Sequence, residues 1–140
     1  MQNLIIKKSQ QVTATFDGTP AAGKKYYFDD IPNLSRMNIV LYGIEAYTAA
    51  QLVATSSGKT VIADADKDQI LVTLKNAQNE EFIYQAPLID FIRSENGGFV
   101  VMLEPQIINL TDCYVQLVDA TGVSSDEVVA FNFYYDFVSV

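Results

Sequence analysis

Residues 128–140 read Val-Val-Ala-Phe-Asn-Phe-Tyr-Tyr-Asp-Phe-Val-Ser-Val, with no Gly, Pro or basic residue among them. Val129, Phe131, Phe133, Tyr135 and Phe137 fall on one side at period two, and Ala130, Asn132, Tyr134 and Asp136 on the other. Strict alternation with aromatics on one side marks a β-strand that buries one face and half-wets the other. A frayed end would expose four aromatic rings to water, so this stretch is expected to be held inside a sheet with all four rings in the core. Few folds accommodate such a strand other than a packed β-sheet.

Shorter runs of the same type recur at roughly ten-residue spacing. Strands are predicted at 3–7, 11–16, 24–28, 37–45, 60–63, 69–75, 81–85, 99–103, 113–118 and 128–138. In two of them the alternation is plain: Val12, Ala14 and Phe16 alternate with Thr13 and Thr15, and Ile70, Val72 and Leu74 with Leu71 and Thr73. Turn chemistry separates the runs. Asp17-Gly18-Thr19-Pro20 closes one strand, Asn76-Ala77-Gln78-Asn79 joins two as a hairpin, and Glu95-Asn96-Gly97-Gly98 supplies positive-φ residues before Phe99. Helical turns are expected only at 44–53, which is alanine-rich, and at 87–92, which opens on Pro87 in the first-turn position. Antiparallel strands with long connections near 46–58 and 119–127 define an all-β, Greek-key β-sandwich, and a single jelly roll of about eight strands is the expected form.

At 140 residues with 49% hydrophobic side chains, the chain has enough apolar material for one core. Residues 9–140 are expected to form one β-sandwich domain, and residues 1–8 either an N-terminal arm or a first strand. The longest apolar runs are far below the roughly 20 residues that span a bilayer as a helix, so no transmembrane segment is expected. Lys7 and Lys8 follow a very short apolar stretch, the reverse of a secretory leader, and synthesis in the cytoplasm without a signal peptide is expected.

The composition argues against most catalytic classes. Histidine is absent, which removes the commonest general base and metal ligand and every Ser-His or Cys-His nucleophile pair. Cys113 is the lone cysteine and lies in a strand-like context, which reads as a buried structural thiol. Asp64-Ala65-Asp66-Lys67-Asp68 has the spacing with which a calcium loop begins, but Gln69 stands where such a loop needs Gly and Lys75 where it needs a bidentate Glu. The pairs Asp29/Asp30, Glu80/Glu81 and Asp126/Glu127 sit at strand ends, where neighbours point to opposite faces, and read as solubilising turn residues rather than an acid–base pair. Asn33-Leu34-Ser35 and Asn109-Leu110-Thr111 match glycosylation sequons, which carry little meaning without export. No catalytic residue, metal site or cofactor is therefore expected, and the chain reads as a non-enzyme.

The net charge of −8 is unevenly placed. Residues 1–75 carry eight basic and seven acidic side chains, whereas residues 76–140 carry Arg93 against ten acidic residues. An acidic body repels phosphate, so direct nucleic-acid binding is not expected. Eight tyrosines fall in or beside predicted strands, where they serve either core packing or an interface. Leu4, Ile5, Ile6, Lys7 and Lys8 form the candidate interface segment: three large aliphatics in a row overfill one strand face, and the lysines could meet an acidic neighbour.

Several segments together resemble the single-jelly-roll vertex (penton) capsid proteins of tailless icosahedral bacteriophages, in the lineage that includes adenovirus-like virions. They are Leu34-Ser35-Arg36-Met37-Asn38-Ile39-Val40-Leu41-Tyr42-Gly43-Ile44-Glu45-Ala46-Tyr47, the hairpin from Ile70–Leu74 to Phe82–Tyr84, the turn Ala86-Pro87-Leu88-Ile89-Asp90-Phe91, and Phe131-Asn132-Phe133-Tyr134-Tyr135. The pattern covers residues 30–140 and consists of packing motifs. The resemblance implies a non-enzymatic virion structural protein, a homopentamer at capsid vertices that contacts the major capsid protein and can anchor a spike protein. The alternative is a β-sandwich binding module for carbohydrate or a protein partner, a reading weakened by the missing Trp.

Overall fold

The computed structural model describes residues 8–31, 34, 38–55, 58–92 and 101–137. The expected strand at 3–7, the segment Leu4 to Lys7, the turn at 95–98 and the sequon at Asn33 lie outside the described residues. Eight strands are described: β1 (Lys8–Thr15), β2 (Lys25–Tyr27), β3 (Asn38–Tyr47), β4 (Ile70–Lys75), β5 (Glu81–Pro87), β6 (Val101–Asn109), β7 (Tyr114–Leu117) and β8 (Val128–Phe137). Short 3-10 turns occur at Asp64–Gln69, Leu88–Phe91 and Leu110–Asp112.

The strands form two four-stranded sheets, ordered β1-β8-β3-β6 and β2-β7-β4-β5. The pairing is nested: β1 lies against β8, β2 against β7, β3 against β6 and β4 against β5, all antiparallel. The chain is thus one long hairpin, bent between β4 and β5 and rolled so that β3 also meets β8 and β4 meets β7. That double Greek key is the single jelly roll.

The bend forms where the sequence placed it. Asn76 Oδ1 accepts from the backbone N–H of Gln78 (3.0 Å) and Glu80 (2.9 Å), and Asn79 takes φ of +65°, a conformation asparagine tolerates better than most residues. Pro87 precedes the 3-10 turn Leu88–Phe91, whose Leu88 and Phe91 are buried.

The core lies between the two sheets. Val129, Phe131, Phe133 and Tyr135 of β8 and Val12, Ala14 and Phe16 from β1 and its exit meet Ile70, Val72 and Leu74 of β4, all of them buried. Phe28, Phe131 and Phe133 contact one another edge to face, with ring centroids 5.3–6.0 Å apart. Phe137 departs from expectation, at 38% exposed. The last described β1–β8 rung is Lys8↔Tyr135, so Phe137 lies beyond it at the end of the sheet. Its ring packs edge-on against Tyr135 at 5.6 Å, with Lys8 Nζ 5.6 Å from its centroid.

Two further expectations need correction. Residues 60–63 make isolated bridges rather than a strand, yet Val61 and Ile62 are buried. Ile62 N–H donates to Val128 O (2.9 Å) and Val128 N–H to Thr60 O (3.0 Å), which holds the segment at the start of β8. The alanine-rich stretch 44–53 is not helical at its start, because Ile44 to Tyr47 complete β3 with Ala46 facing the core. A single turn follows, in which Gln51 N–H and Leu52 N–H both donate to Thr48 O at 3.0 Å.

Candidate functional site

Strand register places a polar row on the outer face of the first sheet. Gln11 on β1 lies opposite Asn132 on β8, and Asn132 lies opposite Glu45 on β3. The next outward row is Thr13, Ala130 and Tyr47. The small Ala130 between two larger residues is fully buried, and the turn after β3 brings Gln51 and Leu52 to the same face as Gln11 and Asn132. Tyr47 and Leu52 both pack against the core cluster. Two adjoining hollows result, sharing Tyr47 and Gln51. One of about 180 Å³ is lined by Glu45, Ala46, Tyr47 and Gln51. The other, of about 390 Å³, is lined by Gln11, Tyr47, Gln51, Leu52 and Asn132.

Glu45 is the anchor of this face. It is only 2% exposed, and its Oε1 accepts from the hydroxyls of Tyr47 (2.7 Å) and Tyr134 (2.8 Å). A buried carboxylate is costly unless hydrogen-bonded, and two phenol donors on one oxygen meet that demand. The same bonds fix both rings on the sheet. Gln51 is held as well: its Oε1 accepts from Thr48 N–H at 2.8 Å and lies 3.1 Å from Thr48 Oγ1. The carboxylate and the two phenol hydroxyls thus serve the face itself, and the polar side chains that line the larger hollow besides Tyr47 are the amides of Gln11, Gln51 and Asn132.

A third cleft, of about 530 Å³, opens between the β3–β4 and β7–β8 connections and is lined by Gly58, Lys59, Thr60, Ser124, Ser125, Asp126 and Glu127. Two of its charged groups, Glu127 and Lys59, are held by neighbouring parts of the chain. Glu127 Oε1 accepts from Ser124 N–H at 2.7 Å, and Lys59 Nζ lies 3.0 Å from Thr15 Oγ1 and 3.7 Å from Asp29 Oδ2.

The residues singled out in the sequence are not gathered into a reactive site. Asp64, Asp66 and Asp68 lie on the 3-10 turn, and among the described residues no group of three or more thiol or carboxylate side chains is placed to hold a metal. Asp64 Oδ1 accepts from the Thr48 hydroxyl at 2.9 Å, and that bond, with Lys67 at 3.3 Å from Oδ2, lowers its carboxyl below the usual range. The carboxylate pairs are divided among structural tasks. Asp29 Oδ2 accepts from the hydroxyls of Thr13 and Thr15, each at 2.7 Å; Glu80 Oε1 accepts from Asn76 Nδ2 (3.1 Å); Glu81 Oε2 accepts from Tyr114 OH (3.3 Å). Asn109 of the second sequon accepts from Thr111 N–H and Oγ1, which caps the turn at Leu110–Asp112. Cys113 is fully buried, and burial pushes its thiol up to about 12. Lys8 is the first residue of β1, so the boundary expected after it falls inside a strand.

Glu45, Gln11 and Asn132 were not anticipated as a group. Glu45 does leave a trace in the sequence, as a lone charge inside an apolar strand, between Ile44 and Ala46. Which polar residue on β1 or β8 stands beside it depends on register, which alternation alone does not set.

The fold and this face together define an all-β protein of the single-jelly-roll class with a polar, tyrosine-lined outer sheet face. No family model matches the chain, and neither a curated protein nor a solved structure matches it. Among the described residues, no helix is long and apolar enough to cross a membrane.

Proposed function

We propose that this chain is a non-enzymatic virion structural protein, a homopentameric vertex protein that sits among major capsid subunits and carries a spike. The observation that carries the reading is the strand order β1-β8-β3-β6 over β2-β7-β4-β5, an architecture that viral capsid domains share with lectins and cupins. Fold alone does not fix function, so the choice among these rests on the sequence resemblance and on the surface. Val53 (71% exposed) and Val118 (56% exposed) stand on the β3–β4 and β7–β8 connections. These two connections meet at one end of the sandwich, where Val61 bridges to Val128. Tyr27 (50%) and Tyr84 (60%) are exposed on β2 and β5, the two edge strands of the second sheet. Large apolar and tyrosine side chains left in water at an end and an edge suit contact between subunits.

The test is the mass of the native protein in solution. A ring of five is expected, and the double variant Val53→Asp, Val118→Asp is expected to yield folded monomers that still melt cooperatively, at a lower temperature because association no longer stabilises the native state. A strict monomer at high concentration refutes the assembly reading.

A further inference from the structure

We propose that the hollow over β1 and β8, lined by Gln11, Tyr47, Gln51, Leu52 and Asn132, is a binding site for a neutral carbohydrate, one to two sugar rings in size. The side-chain amides of Gln11 and Asn132 make no hydrogen bond among the described residues, and Gln51 uses its carbonyl oxygen on Thr48 and leaves its NH₂ group without such a bond. An amide offers both donor and acceptor, which is what a sugar hydroxyl requires. Gln11 and Asn132 are direct cross-strand neighbours, so their backbones are about 5 Å apart. That spacing is comparable to the separation of non-adjacent hydroxyls on one pyranose ring.

The remaining lining complements the amides. Tyr47, held by its bond to Glu45, supplies an aromatic wall, and Leu52 an aliphatic one, both suited to the C–H face of a sugar. Tyrosine here fills the part for which the sequence lacks tryptophan. No lysine, arginine or carboxylate lines this hollow, which favours a neutral ligand over an anion or a cation. Its volume of about 390 Å³ falls in the range of small-molecule sites. Gln51 and Tyr47 are fixed by partners outside the hollow, so little ordering is needed when a ligand enters. An extended peptide is the poorer fit. Peptides commonly add to a sheet through main-chain bonds at a free edge, whereas these groups are side chains on a sheet face.

The inference does not depend on the vertex reading, whose test measures oligomer mass. The native protein is titrated with glucose, galactose, mannose, N-acetylglucosamine and their β1,4-linked dimers, followed by saturation-transfer NMR and calorimetry. At least one saccharide is expected to bind. Gln11→Ala and Asn132→Ser are each expected to weaken it about tenfold, the scale of one lost hydrogen-bonding group. Gln78→Ala, in the distant β4–β5 turn, should leave binding unchanged, and thermal melts establish that the variants are folded. Gln11 is on an edge strand and half-buried, so its truncation keeps the test independent of folding. Three results each overturn the proposal: no saccharide binding at about 10 mM, where a ligand of millimolar affinity is largely bound; binding that survives both substitutions; or protection of this hollow by N-acetylglycinamide but by no saccharide.

Discussion

Replacing Phe133 by alanine removes a ring from the middle of the core. Phe133 is fully buried at the centre of β8, flanked by Gln10 on β1 and Ile44 on β3. Its ring lies edge-on to Phe28 at 5.5 Å and to Phe131 at 6.0 Å. Phe→Ala in a core costs about 3–5 kcal/mol, the sum of lost transfer energy and the cavity left behind. Here the backbone is pinned between two strands and cannot collapse into the space, and two aromatic contacts are lost as well. A value of about 4 kcal/mol is therefore expected, which for a domain of this size lowers the melting temperature by roughly 12–16 °C. Urea titration is the assay, with the midpoint falling and the m-value unchanged. Phe137→Ala provides the internal control: that ring is 38% exposed and touches Tyr135 at the sheet end, so its loss should cost about 1 kcal/mol or less. Equal effects at the two positions, or a Phe133→Ala loss below about 1 kcal/mol, refute this orientation of β8.

The buried thiol of Cys113 is raised from 9.0 to about 12, because desolvation favours its neutral form. A raised folded-state value means its contribution is fully present below pH 9 and is lost as pH rises toward 12. The stability difference between the native protein and Cys113→Ala should therefore shrink across that window in alkaline urea melts, and a flat difference refutes the assignment. Millimolar calcium or a chelator should leave the melting temperature unchanged, while a rise of several degrees with calcium would revive a site at Asp64, Asp66 and Asp68. Deleting residues 1–7, which precede β1, should leave a folded domain that does not form the proposed ring; loss of cooperative unfolding instead would make that segment part of the core.

Most of the fold was legible because its strands carry one regular apolar face toward the core. Val12, Ala14 and Phe16, Ile70, Val72 and Leu74, and Phe131, Phe133 and Tyr135 announce themselves at period two, and all are buried. Asn76 and Pro87 mark the turns on either side of β5 for reasons intrinsic to their backbones. The misses have a common physical cause, in that burial did not follow local pattern. Val61 and Ile62 are apolar because they cover the start of β8, not because they pair in a strand. Thr73 is buried although it lies on the outward parity of β4. A bulge places Gln85 at φ +49° and lets its N–H donate to Thr73 Oγ1 at 3.1 Å, and no feature of the β4 sequence announces that bulge.

The polar face was harder to see, because it is a property of three strands at once. Gln11, Glu45 and Asn132 are separated by 34 and 87 positions in the chain and become neighbours only through the β1-β8-β3 register. A one-residue slip of β8 would turn Asn132 into the core and Phe133 outward, so the hydrophobic demand of Phe131, Phe133 and Tyr135 is what fixes the position of the amide. The core therefore specifies the hollow: the same alternation that buries the rings of β8 presents Ala130, Asn132 and Tyr134 on the outer face. Glu45, set by β3 beside Asn132, then holds Tyr47 and Tyr134 in place by their hydroxyls. Glu45→Gln tests that order of cause. The amide oxygen can still accept from both phenols but, being neutral, weakens both bonds, so the rings of Tyr47 and Tyr134 should gain mobility in NMR relaxation while the aromatic core around Phe133 keeps its shifts. Loosening of the core instead would show that Glu45 supports the sandwich itself and not only its outer face.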